Sequence, residues 1–209
     1  NNLFIKACIN VGDYDKAKKF VDSNICNVNN HSIELINTLI SFYGKIGDIN
    51  NAVNIFNNIA ENKKDIVTIG AMMKCFIDNN QNEKAISIYE QYNGKHNDVS
   101  NLLFIQACGN IGDIDTAVNI FNKIPENEKN IETIGAMMKC FIDNNQNEKA
   151  ISLYEQYDGQ HNDVSNLLFI QACGNIGDAD KGTKLIKSTT DGSIESVSYT
   201  HLTLPTTKN

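Results

Sequence analysis

A block of 52 residues, Ile66 to Ala117, returns at an offset of 65 residues as Ile131 to Gly182 with seven changes. The changes are Val67/Glu132, Ile88/Leu153, Asn93/Asp158, Lys95/Gln160, Ile114/Ala179, Thr116/Lys181 and Ala117/Gly182. Self-similarity at a fixed offset is the mark of an array, in which each unit is too small to bury a core alone and must stack on its neighbours.

A finer register lies inside the block. Aligning on one small residue gives Ala17, Ala52, Ala85, Ala117, Ala150 and Gly182, at steps of 35, 33, 32, 33 and 32. Five residues before each anchor stands Gly12, Gly47, Asn80, Gly112, Asn145 or Gly177. Gly and Asn tolerate the left-handed conformation that ends a helix. Asp13, Asp48, Asp113 and Asp178 follow directly, and an Asp there caps the next helix. Each unit therefore carries a stop followed at once by a start. The flanks are amphipathic: Leu35, Ile36, Leu39, Ile40 and Tyr43 give one helical face, then Ile49, Ala52, Val53, Ile55 and Phe56 another. Asp65, Asp98 and Asp163 are expected as caps where a new unit begins. The expectation is an all-α α-solenoid of about six helix-turn-helix repeats. Its units run at about 1–31, 32–65, 66–97, 98–130, 131–162 and 163–188.

Composition narrows the function classes. The net charge is -7, and all 18 basic residues are Lys. That balance argues against a strong non-specific binder of phosphate and leaves a locally specific one open. No run approaches the ~18 apolar residues of a membrane span. The six Cys show no C-x-x-C spacing, and His31, His96, His161 and His201 form no zinc pattern, so no metal or cofactor is expected. Cys75 and Cys140, like Cys108 and Cys173, sit at equivalent places in apolar runs and read as core. No Gly-rich phosphate loop or nucleophile-base pair stands out, so no catalytic residue is assigned. The repeated turns around His96 and His161 read as connections between units. The chain opens without Met and reads as a fragment. From Val197 the helical period is lost, and the stretch Val197 to Thr207 resembles a sequencing adapter translated in frame. Residues 189–209 are expected outside the array.

The unit length of about 34 residues fits two helical-repeat families, and particular residues separate them. Asn37-Thr38-Leu39-Ile40-Ser41-Phe42-Tyr43-Gly44-Lys45-Ile46-Gly47-Asp48, followed by Ala52, Val53, Ile55 and Phe56, resembles the pentatricopeptide repeat. Phe121-Asn122-Lys123-Ile124-Pro125-Glu126 resembles the ending of that family's short-type units, and Leu103-Phe104-Ile105-Gln106-Ala107-Cys108 the first helix of its long-type units. These likenesses point to the subfamily that alternates long and short units. The Trp and Leu-Gly signature of tetratricopeptide repeats is missing, and the chain has no Trp.

The resemblance implies a right-handed superhelix that holds single-stranded RNA, about one base per unit, read by two or three side chains. It also implies a soluble protein of an organelle, the mitochondrion, acting in RNA processing, editing or stability, beside other RNA-processing proteins. Base choice in the family rests on a polar residue early in the first helix and on the last residue of the same unit. Carried over, these are Asn2 with Ser32, Asn37 with Asp65, Gly70 with Asn97, Leu102 with Asn130, and Gly135 with Asn162. Asn37 with Asp65 matches the pair associated with uridine. Gly70 and Gly135 lack a side chain to hydrogen-bond, and Leu102 and Leu167 are apolar, so those units read as spacers. Lys6, Lys74 and Lys139, four residues beyond the early position, and Lys45, two turns beyond Asn37, share that face and are candidates for phosphate contact. Asp78 and Asp143 stand at the place equivalent to Lys45 and are expected to repel phosphate. A protein-binding solenoid scaffold is the alternative, favoured by the acidic charge and the missing Arg.

Overall fold

The computed structural model describes residues 1–25 and 31–190, and every regular element among them is helical. The stretch from Val197 lies outside the described residues. The chain forms two compact units, Asn1–Glu128 and Lys129–Asn209. The first holds four hairpins: α1 (Asn2–Val11) with α2 (Tyr14–Asn24), α3 (Ile33–Lys45) with α4 (Ile49–Asn58), α5 (Ile66–Asp78) with α6 (Asn82–Gln91), and α7 (Asp98–Ile111) with α8 (Ile114–Lys123). The second holds α9 (Ile131–Asp143) with α10 (Asn147–Gln156), and α11 (Asp163–Asn175) with α12 (Ala179–Thr190).

The turn inside each hairpin follows the stop-start signal. Gly12, Gly47, Asn80, Gly112, Asn145 and Gly177 have φ of 74°, 76°, 57°, 79°, 59° and 78°. The residue after each donates its N–H back across the turn, as Asp48 N to the Tyr43 carbonyl at 2.9 Å and Gln81 N to that of Phe76 at 2.8 Å. This satisfies carbonyls that the helix end would otherwise leave unpaired. Where that residue is Asp, its carboxylate also accepts from the third residue on, at 3.2 Å from Asp48 to the Asn51 N–H and 3.0 Å from Asp178 to that of Lys181. Gln81 and Gln146 make no such cap bond.

At the start of a new hairpin one expectation is corrected. Asp98 and Asp163 are not caps; Asn97 and Asn162 are, and the aspartates are the first helical residues. The reason is a reciprocal capping box: Asn97 Oδ1 accepts from the Ser100 N–H at 2.9 Å, while Asn97 N–H donates to Ser100 Oγ at 3.0 Å. The displaced carboxylates then sit in the first turn, where the helix dipole favours negative charge. Asp65 does cap α5, accepting from both the N–H and the hydroxyl of Thr68.

In the first unit, the leading helices stand side by side, α1 on α3, α3 on α5 and α5 on α7, with each trailing helix packed on its own partner. In the second, α9 packs on α11 in the same way. Leu39, Ile40, Phe42, Met72, Met73, Phe104 and Ile105 fill the first core, and Met137 and Met138 the second. The anchors Ala17, Ala52, Ala85, Ala117 and Ala150 are fully buried. Cys75, Cys108, Cys140 and Cys173 are buried, and burial pushes the Cys75 thiol up to about 11.

The contact of α3 with α5 is closest at Gly44. A Cβ there would stand 3.0 Å from Cys75 Cβ and Sγ and 3.1 Å from Cys75 Cα. Part of what it meets is backbone, which cannot turn away. Gly44→Ala gains about 0.5–1 kcal/mol of helix propensity but overpacks the seam at a cost of about 1–3 kcal/mol. We expect a lower urea midpoint for Gly44→Ala; a midpoint at or above that of the unaltered chain would show that α5 yields freely.

Successive hairpins are also joined by a polar and aromatic cluster present once in each unit. The Tyr89 hydroxyl donates to Asn101 Oδ1 at 2.7 Å, as Tyr154 does to Asn166 at 2.6 Å. Asn110 Nδ2 donates to Asn82 Oδ1 at 2.9 Å, as Asn175 does to Asn147 at 2.8 Å. The His96 ring stacks on Tyr89 with centroids 3.7 Å apart, and His161 stacks on Tyr154 at the same distance. Burial pushes both imidazoles below the usual histidine range. Such a group takes up its proton more readily in the unfolded chain, so stability falls as pH drops from about 6.5 through the folded-state pKa. Denaturation at about pH 7.5 and about pH 5.5 should therefore give a lower midpoint in acid. His96→Phe with His161→Phe, which keeps a ring to stack, should flatten that difference. An undiminished acid loss in the double variant would assign it to other groups.

Candidate nucleic-acid interface

The leading helices present one comparable stripe each, because residues at i, i+3, i+7 and i+11 share a helix face. In α3 the stripe is Glu34, Asn37, Ser41 and Lys45; in α5 it is Val67, Gly70, Lys74 and Asp78; in α7 it is Val99, Leu102, Gln106 and Asn110. In the second unit, α9 carries Glu132, Gly135, Lys139 and Asp143, and α11 carries Val164, Leu167, Gln171 and Asn175.

The early positions differ in what they offer. Asn37 is partly exposed, yet its Oδ1 is buried and has no hydrogen-bond donor. Asn2 lies against the next leading helix, with its Oδ1 2.7 Å from the Thr38 hydroxyl. A Cβ at Gly70 would meet nothing within 4 Å, so this buried position leaves room for a side chain. Leu167 is 61% exposed.

All five candidates from the unit ends are helix N-caps. Ser32 accepts from Leu35 N–H at 3.4 Å, Asp65 from Thr68 at 2.8 Å, Asn97 from Ser100, Asn130 from Thr133 and Asn162 from Ser165, the last three at 2.9 Å. Capping fixes their side chains at the mouth of the stripe and uses one oxygen of each.

The lysines are mostly paired. Lys74 Nζ lies 2.6 Å from Asp78 Oδ1, and Lys45 Nζ, from the preceding leading helix, 2.9 Å from Asp78 Oδ2. Asp78 is thus clamped by two cations, each with side chain more than two-fifths exposed. Burial raises the Asp78 carboxyl, but the bonds from Lys74 and Lys45 outweigh it and hold the group below the usual carboxylate range. Its hydrogen bond likewise raises Lys45 above the ordinary lysine value. In the second unit Lys139 pairs with Asp143. Lys6 is exposed on α1. The aspartates expected to stand alone against phosphate are thus the partners of the lysines expected to attract it.

Two features escaped the reading of the sequence. One is the Asp78 clamp, which joins residues 33 apart. The other is a recurring exposed valine, Val67, Val99 and Val164, 59%, 60% and 62% exposed, three residues before the early position of its own helix. The unit register alone would have found the valines, since they recur at one place in it. Among the described residues no group of three or more His, Cys, Asp or Glu is arranged to hold a metal ion, and no helix is long and apolar enough to cross a membrane.

Comparisons with known proteins agree with the helical-repeat fold. Residues 36–63, the hairpin of α3 and α4, match the family model of the PPR repeat. A pentatricopeptide repeat-containing protein of Arabidopsis thaliana is 23% identical over 85% of this chain and 35% of its own length. A mitochondrial one from the same plant is 31% identical over 37% of this chain and 15% of its own. Among solved structures, the pentatricopeptide repeat protein PPR10 in complex with an 18-nt psaJ RNA element matches at TM-score 0.65 and 14% identity, over 93% of this chain and 34% of that one. The same protein from maize, in another crystal structure, gives TM-score 0.58. The likeness in structure establishes the fold, and the chain spans between 15% and 35% of the length of these proteins. A matched repeat, relatives along most of its length and a shared fold make the chain similar to PPR-repeat proteins.

Proposed function

We propose that the array binds single-stranded RNA along the stripe of its leading helices, as part of an organellar RNA-processing, editing or stability factor. The observation that carries this reading is Asn37 with Asp65, a polar residue and a terminal carboxylate bracketing the hairpin that matches the PPR repeat. Relatives carry mitochondrial and chloroplastic in their names, which supports an organelle. The PPR10 complex supports RNA as the ligand class.

The chemistry is consistent with this ligand. Asn37 is partly exposed, and its amide carries both a donor and an acceptor to set against the edge of a uracil. Exposed Val67, Val99 and Val164 offer apolar surface against which base faces can pack. Units with Gly70, Gly135, Leu102 and Leu167 are then contributors of packing and spacing, and selectivity concentrates at Asn37, with Asn2 and Ser32 second. Asn97, Asn130 and Asn162 orient the neighbouring bases, and Lys6, Lys45, Lys74 and Lys139 face the phosphates. The unit boundaries, the alternating long- and short-type assignment and the exclusion of residues 189–209 from the array belong to the same proposal.

Removing the Asn37 contact should cost about 1–1.5 kcal/mol, or about tenfold in Kd for a uridine-rich RNA. Filter binding of Asn37→Ala and of Asp65→Ser, which keeps an N-cap, measures this. A scaffold for proteins would instead retain no RNA at about 50 or about 200 mM salt, and the substitutions would change nothing.

The clamp gives a second test. An exposed ion pair contributes about 0–1 kcal/mol, so Asp78→Asn should release Lys45 and Lys74 with little loss of stability. RNA affinity should rise, and the slope of log K against log salt should steepen by about one to two. An unchanged slope would mean that neither lysine meets a phosphate.

A further inference from the structure

We propose that Asn93-Gly94, in the connection from α6 to α7, is a site of spontaneous deamidation through a succinimide. It is the only Asn-Gly dipeptide in the sequence. Both residues are exposed and outside regular structure, and among the described residues neither takes part in a hydrogen bond. The Gly94 amide is therefore available as a nucleophile, with no Cβ to obstruct its approach.

The step balances without any co-reactant but water. The Gly94 amide nitrogen loses its proton to water and attacks Asn93 Cγ. The N–Cγ bond forms, the Cγ–Nδ2 bond breaks, and ammonia leaves. Water then opens the ring, either at Cγ, giving aspartate, or at the main-chain carbonyl, giving isoaspartate with one extra methylene in the backbone.

Two observations tie this chemistry to this fold. First, the glycine packs beneath a ring: a Cβ at Gly94 would lie 2.4 Å from Tyr92 Cζ and Oη, and one at Gly159 2.3 Å from Tyr157 Oη, so a larger residue there would have to turn the tyrosine aside. Second, the repeated copy carries Asp158 at that residue, one of only seven differences between the copies. Its aromatic cluster is unchanged, with Tyr157 and His161 at 5.6 Å and 68°, as are Tyr92 and His96. An aspartate therefore fits the connection without rearrangement. Isoaspartate lengthens the chain between Tyr92 and His96 and displaces the cluster that joins two hairpins.

The test is to incubate the full chain at mildly alkaline pH and map it by mass spectrometry. We expect a gain of about one dalton confined to the peptide containing residue 93, with part of the product accepting a methyl group from an isoaspartate methyltransferase. Asn93→Gln should show neither. Asn93→Asp should melt with the unaltered chain, and the isoaspartate fraction should melt lower. The proposal is overturned if Asn93 stays intact while a free peptide of residues 91–97 deamidates, or if other asparagines react first.

Discussion

The fold depends on one backbone event repeated at each hairpin: a residue with positive φ, followed by one that closes the old helix and opens the new. At Asp48 a single residue does both. Its N–H returns to the Tyr43 carbonyl, and its carboxylate accepts from the Asn51 N–H. The turn thereby satisfies backbone groups at two helix ends with no residue to spare, and this sets the angle at which the trailing helix meets the leading one. Four residues after the turn, five of the six hairpins carry a fully buried alanine, Ala17, Ala52, Ala85, Ala117 and Ala150, and the last carries Gly182.

Stacking has a different physical basis, and it explains what the sequence could and could not reveal. Turn, cap and anchor depend on residues within a few positions of each other, and periodicity exposes them. Even the exchange of Gly for Asn at Asn80 and Asn145 was readable, because both tolerate the left-handed region. The contacts between hairpins join residues of different units. Gly44 against Cys75, Lys45 with Asp78 and Asn82 with Asn110 couple positions about a repeat apart, and no periodic pattern says which of many polar residues meet. The caps Asn97 and Asn162 were misread for a smaller reason. Adjacent Asn and Asp are both good caps, and the serine at the third helical position selects Asn by closing the box.

The duplicated block tests this division, because it holds the local and stacking signals nearly constant. Of its seven differences only Ala117/Gly182 falls on a buried position. Val67/Glu132 changes the exposed valine at the head of the stripe, and Asn93/Asp158 with Lys95/Gln160 changes the exposed connection. The Tyr-His stack and the Asn-Asn bond keep their geometry across the copies. Divergence has therefore run along the surface, where a substitution costs little, and has left the joints alone.

Electrostatics then sets the character of the proposed interface. A net charge of -7 with no Arg gives no long-range pull on a polyanion. Locally, Asp78 neutralises two of the cations best placed to meet phosphate, and Asp143 a third. The lysine ends of these pairs are exposed, while the Asp78 side chain is only 20% exposed. The lysines are thus held on the face but uncommitted, and phosphate can take them only by displacing a carboxylate. Exchange of that kind makes affinity depend on whether bases also engage. A stripe with paired cations and few polar readers favours a strand whose bases engage Asn37 over one that offers phosphate alone.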